Sequence, residues 1–517
     1  MSVKTKLKEQ RPNDNFESTQ TKEPPRTLVA TLLRLGPGMI IAGSIVGSGE
    51  LIATTKAGAE AGFWLLWLII IGCVIKVSTQ IEFGRHAVTW GQTPLKALNS
   101  LPGPRLIVNW LLWYWTLMTM LVISQQGGIV GGVGQALAIS RPLTQYGIEY
   151  NQIRDELVKA KTEQALIRMQ NPENPDISII QNKIDSLTTQ VDSMKESKDA
   201  YLWAAIIAIL TSILLYIGRY RLIQIIATVL VSIFTLVTII TLVMLQTREE
   251  WAVRSHELAN GLSFRLPPSG ETLASNPIAT ALAAFGIIGV GAAELIMYPY
   301  WCLEKGYAKF TGSRDGSIQW TQRARGWLSV MRIDVWLSMV VYTFATMAFY
   351  LLGAAVLWRT ALNPAKADMI RTLSQMYVPV FGPSAQIVFL TGAVAVLYST
   401  FFVAAAGNAR MVADALGLFG LHDGSETTRA KWTRNICVVW PLLAAVLYTL
   451  VRRPTAMVLA CGTAQSVMLP MLGAAALYFR YKRSDKNLRS GQLWDVMLWL
   501  SLTGFVIIGG WALISIF

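Results

Sequence analysis

Met39-Ile40-Ile41-Ala42-Gly43-Ser44-Ile45-Val46-Gly47-Ser48-Gly49-Glu50-Leu51-Ile52-Ala53 is the stretch on which the reading of this chain turns. Both ends are apolar, as in a helix that crosses a bilayer, yet Gly47-Ser48-Gly49-Glu50 stands at the middle. Two glycines destabilise a helix interior by about 1 kcal/mol each. A carboxylate in hydrocarbon adds about 3 kcal/mol unless it faces a cavity or a partner. Such an interruption is tolerated where the freed backbone lines a protein-walled or wet cavity. The stretch therefore predicts half of a binding site for a small solute.

The surrounding sequence has the same membrane character. Of 517 residues, 53% are hydrophobic and 15% charged, where a soluble chain carries about 25% charge. Apolar runs recur from end to end, which predicts an all-α polytopic membrane protein. Eleven spans are expected, at roughly 36–58, 63–84, 105–138, 201–218, 222–246, 276–301, 329–357, 384–413, 434–451, 455–479 and 492–516. Each is near or above the ~20 residues that cross a bilayer core. Residues 1–28 are polar, lack the apolar core of a signal peptide, and read as a disordered cytoplasmic tail. The expected organisation is that tail, spans one to three over 29–140, a polar insertion over 141–200, and spans four to eleven over 201–517.

The net charge of +14 is explained by short loops that orient the protein, not by nucleic-acid binding. Arg85, Lys96, Arg105, Arg219, Arg221, Lys305, Arg323, Arg429, Lys431, Arg480 and Lys482 all fall on one side if the spans are right. The N-terminus is then cytoplasmic and the C-terminus external, in a bacterial cytoplasmic membrane. Cys73, Cys302, Cys437 and Cys461 form no CxxC pair, and His86, His256 and His422 have no metal-ligand spacing. No cofactor motif, nucleophile–base set or ATP-binding loop is present, so no enzyme is expected and transport would be secondary.

In the insertion, Ile180, Ile184, Leu187, Val191 and Met194 repeat at 4-3-4-3 spacing. Ile153, Leu157, Ala160 and Ile167 fit the same heptad, with Gln164 filling its gap, and Asn171-Pro172-Glu173-Asn174-Pro175 separates the halves. This predicts a coiled-coil-like helical hairpin projecting outside the membrane, a candidate surface for self-association.

A second interruption is expected in span six. Gly286, Gly289 and Gly291 lead to Glu294 and then Tyr298-Pro299-Tyr300-Trp301, and proline inside a helix removes one backbone bond and blocks another. A single break could be a kinked structural helix. Two, in matching spans and each with a carboxylate, are the signature of inverted-repeat transporters with a midplane site.

Taken in order, several short motifs resemble the Nramp family of proton-coupled divalent metal transporters. Gly36-Pro37, the break at 47–50, and Ala57-Gly58 with Gly62-Phe63-Trp64-Leu65-Leu66-Trp67 follow the family's first two spans. Gln80, Arg85 and Gly91 fit the second, Ile333-Asp334 the seventh, Ser399-Thr400 with Ala406-Gly407-Asn408 the eighth, and Leu469-Pro470 the tenth. The resemblance covers most of 31–517 apart from the insertion. It implies a LeuT-type inverted-repeat fold of eleven transmembrane helices, with helices one and six broken.

The family's functional motifs are replaced. Gly47-Ser48-Gly49-Glu50 stands where the family has Asp-Pro-Gly-Asn, and Tyr298-Pro299-Tyr300-Trp301 where it has Met-Pro-His-Asn. Its third-span acidic pair falls near Gln126 and Ile129, and its sixth-span histidines at Tyr300 and Lys305. Loss of the soft thioether argues against selective manganese or iron transport. One expectation is a hard divalent cation such as Mg2+, with Glu50 and Glu294 as metal ligands. Gly47, Ser48, Gly49, Tyr298, Tyr300, Trp301, Ser399 and Asn408 complete the expected substrate site, and Lys76 balances charge. A second is an amino acid or other small anion bound by backbone N–H groups at the Gly-Ser-Gly break. A third is a non-transporting receptor built on the same fold.

Overall fold

The computed structural model describes residues 21–171, 173–218, 220–268, 272–274 and 276–515. The expected disordered tail lies outside the described residues as far as 20. From Thr21 onward it packs against the body. The Lys22 amide donates to Phe310 O (3.1 Å), and Trp327 Nε1 donates to Lys22 O (2.9 Å).

Nine helical segments among the described residues are long and apolar enough to cross a membrane: Leu66–Trp90, Trp110–Ser140, Asp199–Ile217, Pro277–Lys305, Ile318–Trp358, Lys366–Leu418, Glu426–Val451, Pro454–Arg483 and Gln492–Ile514. The first expected span, dense in glycine and polar residues, runs as Pro37–Ile45, Val46–Thr54 and Thr55–Ala61, and the fifth forms helix Tyr220–Leu245. The sheet content of the described residues is a two-residue pair, Arg105–Leu106 with Val108–Asn109.

Burial separates an inner from an outer set of helices. The first, sixth, seventh and eighth spans enclose the core, with the third and tenth packed beside them. Asp199–Ile217, Glu426–Val451 and Gln492–Ile514 turn rows of large apolar side chains outward, among them Ile206, Ile209, Ile213, Val439, Val446, Leu500 and Ile507. Such faces are stable only against lipid tails, because water would expose each as a continuous apolar patch.

The insertion forms two antiparallel helices, Gln145–Gln170 and Asp176–Ser193. Leu157, Ala160, Ile184, Leu187 and Val191 make a small core of their own. Gln164 Nε2 donates across the seam to Gln181 Oε1 (2.8 Å). The hairpin is docked on the rest of the chain. Arg371 bonds Asp155 and Asn151, and Arg154 pairs with Asp368 at 2.5 Å. Asp199 gathers both ends of the insertion, accepting from the Leu143 amide (2.8 Å) and the Thr144 hydroxyl (2.8 Å).

Candidate functional site

The interruption in the first span is a widened helix. Val46–Thr54 is a π-helix between two α-helical halves. Thr54 Oγ1 donates to Gly49 O (2.8 Å) and Thr55 Oγ1 to Glu50 O (3.3 Å), each reaching five residues back. A π segment of this kind is a frequent marker of function. The glycines let neighbours approach: a Cβ at Gly49 would meet Ile287 O at 2.9 Å. At Gly47, Thr400 Oγ1 accepts from the amide (3.0 Å) while donating to Gly43 O (3.2 Å).

The sixth span is fully broken, ten residues before the expected Tyr298–Trp301 position. Helix Pro277–Ile287 ends at Ile288, and helix Ala292–Lys305 starts after Gly291. Gly289 turns the chain at φ +58°, a conformation open to glycine and strained for other residues. Pro299 sits inside an otherwise regular helix.

Three charges converge on this break. Glu50 is fully buried; its Oε1 accepts from Thr346 Oγ1 (3.0 Å) and the Gly289 amide (3.4 Å), and its Oε2 has no partner among the described residues. Glu294 lies in the first turn of the second half-helix, its Oε2 turned toward Gly291 and likewise unpartnered. Lys76, also fully buried, donates to Phe285 O and to Ile288 O (2.8 Å) and is within electrostatic reach of both glutamates. The signs suit the backbone: an ammonium at a helix C-terminus and a carboxylate at a helix N-terminus are both favourable.

A chain of neutral side chains closes the site, and it had no signal in the sequence. Gln465 Oε1 accepts from the Ala293 amide (2.9 Å), Gln465 Nε2 donates to Gln125 Oε1 (3.2 Å), and Gln125 Nε2 donates to Ser48 Oγ (3.1 Å). Cys461 Sγ donates to the same Gln125 oxygen (3.1 Å). The third and tenth spans are thereby tied to both interruptions. Thr346, from the seventh span, was equally invisible.

Gly47, Ser48, Gly49, Glu50, Glu294 and Lys76 are thus brought together. The aromatic residues expected beside them are engaged elsewhere. Tyr298 donates to Asp334 Oδ2 (3.3 Å), the carboxylate that also holds the Gly36 (3.0 Å) and Gly38 (2.5 Å) amides at the start of the first span. Gly38 precedes Glu50 by twelve residues, roughly 18 Å along the helix axis at about 1.5 Å per residue. Tyr300 donates to Asp414 Oδ2 (2.6 Å), and the Trp301 ring carries Arg410 at 4.6 Å. Ser399 lies near Gly43, and Asn408 turns back to Ala404 O (2.8 Å) on its own helix. For the three aromatic residues, Tyr298, Tyr300 and Trp301, the cause is that the break falls at Gly289, so the helix beyond Glu294 leads away from the site; Ser399 and Asn408 stand on a different helix, Ala385–Leu418. Among the described residues no group of three or more His, Cys, Asp or Glu side chains is placed to hold a metal ion.

Residues 192–515 match the family described as natural resistance-associated macrophage protein-like, Nramp, well over half of the chain. The chain belongs to the Nramp-like family. A comparison with curated proteins finds no match. Among solved structures, a histidine-to-alanine mutant of the Eremococcus coleocola manganese transporter aligns at TM-score 0.56 and 14% identity, covering 98% of this chain and 90% of that one. The same transporter in complex with an aromatic bis-isothiourea substituted compound aligns at 0.54 and 13%, covering 96% and 90%. MhsT in complex with L-phenylalanine aligns at 0.51 and 16%, covering 96% and 100%. At these identities the likeness is one of fold. The Nramp-like chain has the LeuT-type architecture of a multi-pass membrane transporter, with its first and sixth spans interrupted.

Proposed function

We propose that this chain is a secondary transporter whose cargo is a hard divalent cation, Mg2+ first, held partly hydrated between Glu50 and Glu294. One observation carries the reading. Each glutamate leaves one buried oxygen, Oε2, without a partner. An unpaired buried carboxylate oxygen is destabilising, so helix capping alone leaves both oxygens unexplained. Mg2+ typically takes one or two carboxylates and keeps several waters, which fits two oxygens better than a dedicated cage. Gln126 and Ile129 offer no carboxylate in the third span, so the usual proton route forms no part of this proposal. The loop charges favour a cytoplasmic N-terminus and an external C-terminus.

The small-anion alternative loses its support. It requires free backbone N–H groups at the Gly-Ser-Gly break, yet that segment is a continuous π-helix and the Gly47 amide is bonded to Thr400. The aromatic wall for an organic side chain is bonded to other groups, as described above.

The test is uptake by proteoliposomes of the full chain. Mg2+ uptake should saturate, Mn2+ should be carried poorly, and amino acids should neither be taken up nor compete. Robust Mn2+ uptake at micromolar concentration with no Mg2+ flux would reverse the assignment.

A further inference from the structure

The carbonyl end of the broken sixth span is occupied by the chain itself. Phe285 and Ile288 supply two of the last four carbonyls before the break, and the Lys76 ammonium donates to both. The ammonium also lies 4.8 Å from the centroid of the Phe285 ring, and both glutamates are within its electrostatic reach. Two carbonyl oxygens, an aromatic face and nearby carboxylates are the surroundings of a small monovalent cation. In folds of this type, unwound carbonyls and half-helix C-termini are where coupling cations are held. Lys76 reaches the position from another span, at the junction between helices Leu66–Val74 and Val77–Trp90.

We infer that the Lys76 ammonium is the resident cation of this site, filling a carbonyl-lined position that would otherwise take a small monovalent cation. The transporter therefore needs no free Na+ or K+ to complete its fold around the break. The assignment goes beyond the cargo reading and does not depend on it, because the cargo oxygens are Oε2 of Glu50 and Glu294, whereas this position is built from Phe285 O and Ile288 O.

Thermal unfolding of the purified full chain in detergent, at constant ionic strength and without Mg2+, tests it. The wild type should melt at the same temperature in NaCl, KCl, methylammonium chloride and N-methylglucamine chloride. Lys76→Ala should melt lower in N-methylglucamine and recover with methylammonium or Na+, by about 2 °C per tenfold excess over the dissociation constant. Lys76→Met fills the space without charge and should show no cation-dependent recovery. A wild type stabilised selectively by Na+ or K+ would overturn the assignment, as would a folded Lys76→Ala indifferent to every cation. Should Lys76→Ala fail to fold in sodium buffer, purification in methylammonium chloride decides. Recovery of monodisperse protein supports the assignment, and failure in every cation refutes it. Because no cargo is present, a failed uptake experiment leaves this result untouched.

Discussion

The two oxygens of Glu50 have different surroundings: Oε1 is held by Thr346 and the Gly289 amide, and Oε2 has no partner among the described residues. Glu50→Gln keeps the shape and an acceptor but removes the charge. Hydrogen bonds to charged groups contribute about 1.5–3 kcal/mol, so the variant should fold, elute as a single species, and lose at least about tenfold in uptake kcat/KM. Full uptake by a folded variant would remove Glu50 from the site. Glu50 was legible in the sequence because a carboxylate beside two glycines in an apolar run has few bland explanations. Gln125, Gln465 and Thr346 were not. Neutral polar residues occur in many spans, and only the tertiary contacts that join Gln125 to Gln465 across 340 positions give them a role.

Among the elements, the sixth span differs most from expectation. Proline suggested a break around Pro299, but the chain turns at Gly289 and the proline is absorbed as a local irregularity. Sequence shows which residues disrupt a helix, whereas packing decides which disruption becomes a break. At Gly289 a Cβ would lie 3.0 Å from Cys73 Cα and 3.1 Å from the Tyr342 ring. Gly289→Ala should therefore lower stability by about 1–2 kcal/mol from the left-handed backbone alone, with crowding added. The measure is the melting temperature in detergent against Gly510→Ala, where a Cβ meets nothing within 4 Å. Equal melting of the two variants would show that the turn is not under constraint.

At the scale of the whole molecule, hydrophobic patterning made the membrane architecture and the helical hairpin readable, because lipid and a heptad seam each impose a period on the sequence. The docking of the hairpin was hidden, since it depends on Arg154 and Arg371 meeting acidic partners far along the chain. Arg371 is 2% exposed at its side chain and serves Asp155, Asp368 and Asn151 together. Arg371→Ala should release the first arm. Limited proteolysis should then cut within 145–195 well before the spans unfold. An unchanged digestion pattern would mean that the remaining contacts hold the hairpin unaided.

Asp334 carries a consequence for any rocking motion. From the seventh span, it fastens the beginning of the first through two amides and the later half of the sixth through Tyr298. Those two interrupted rods are joined at that end through one carboxylate, which must give up either Tyr298 or both glycine amides before they swing apart. The latch is therefore uneven: parting the sixth span costs one phenol hydrogen bond, whereas parting the first leaves two backbone amides in need of water or a new acceptor.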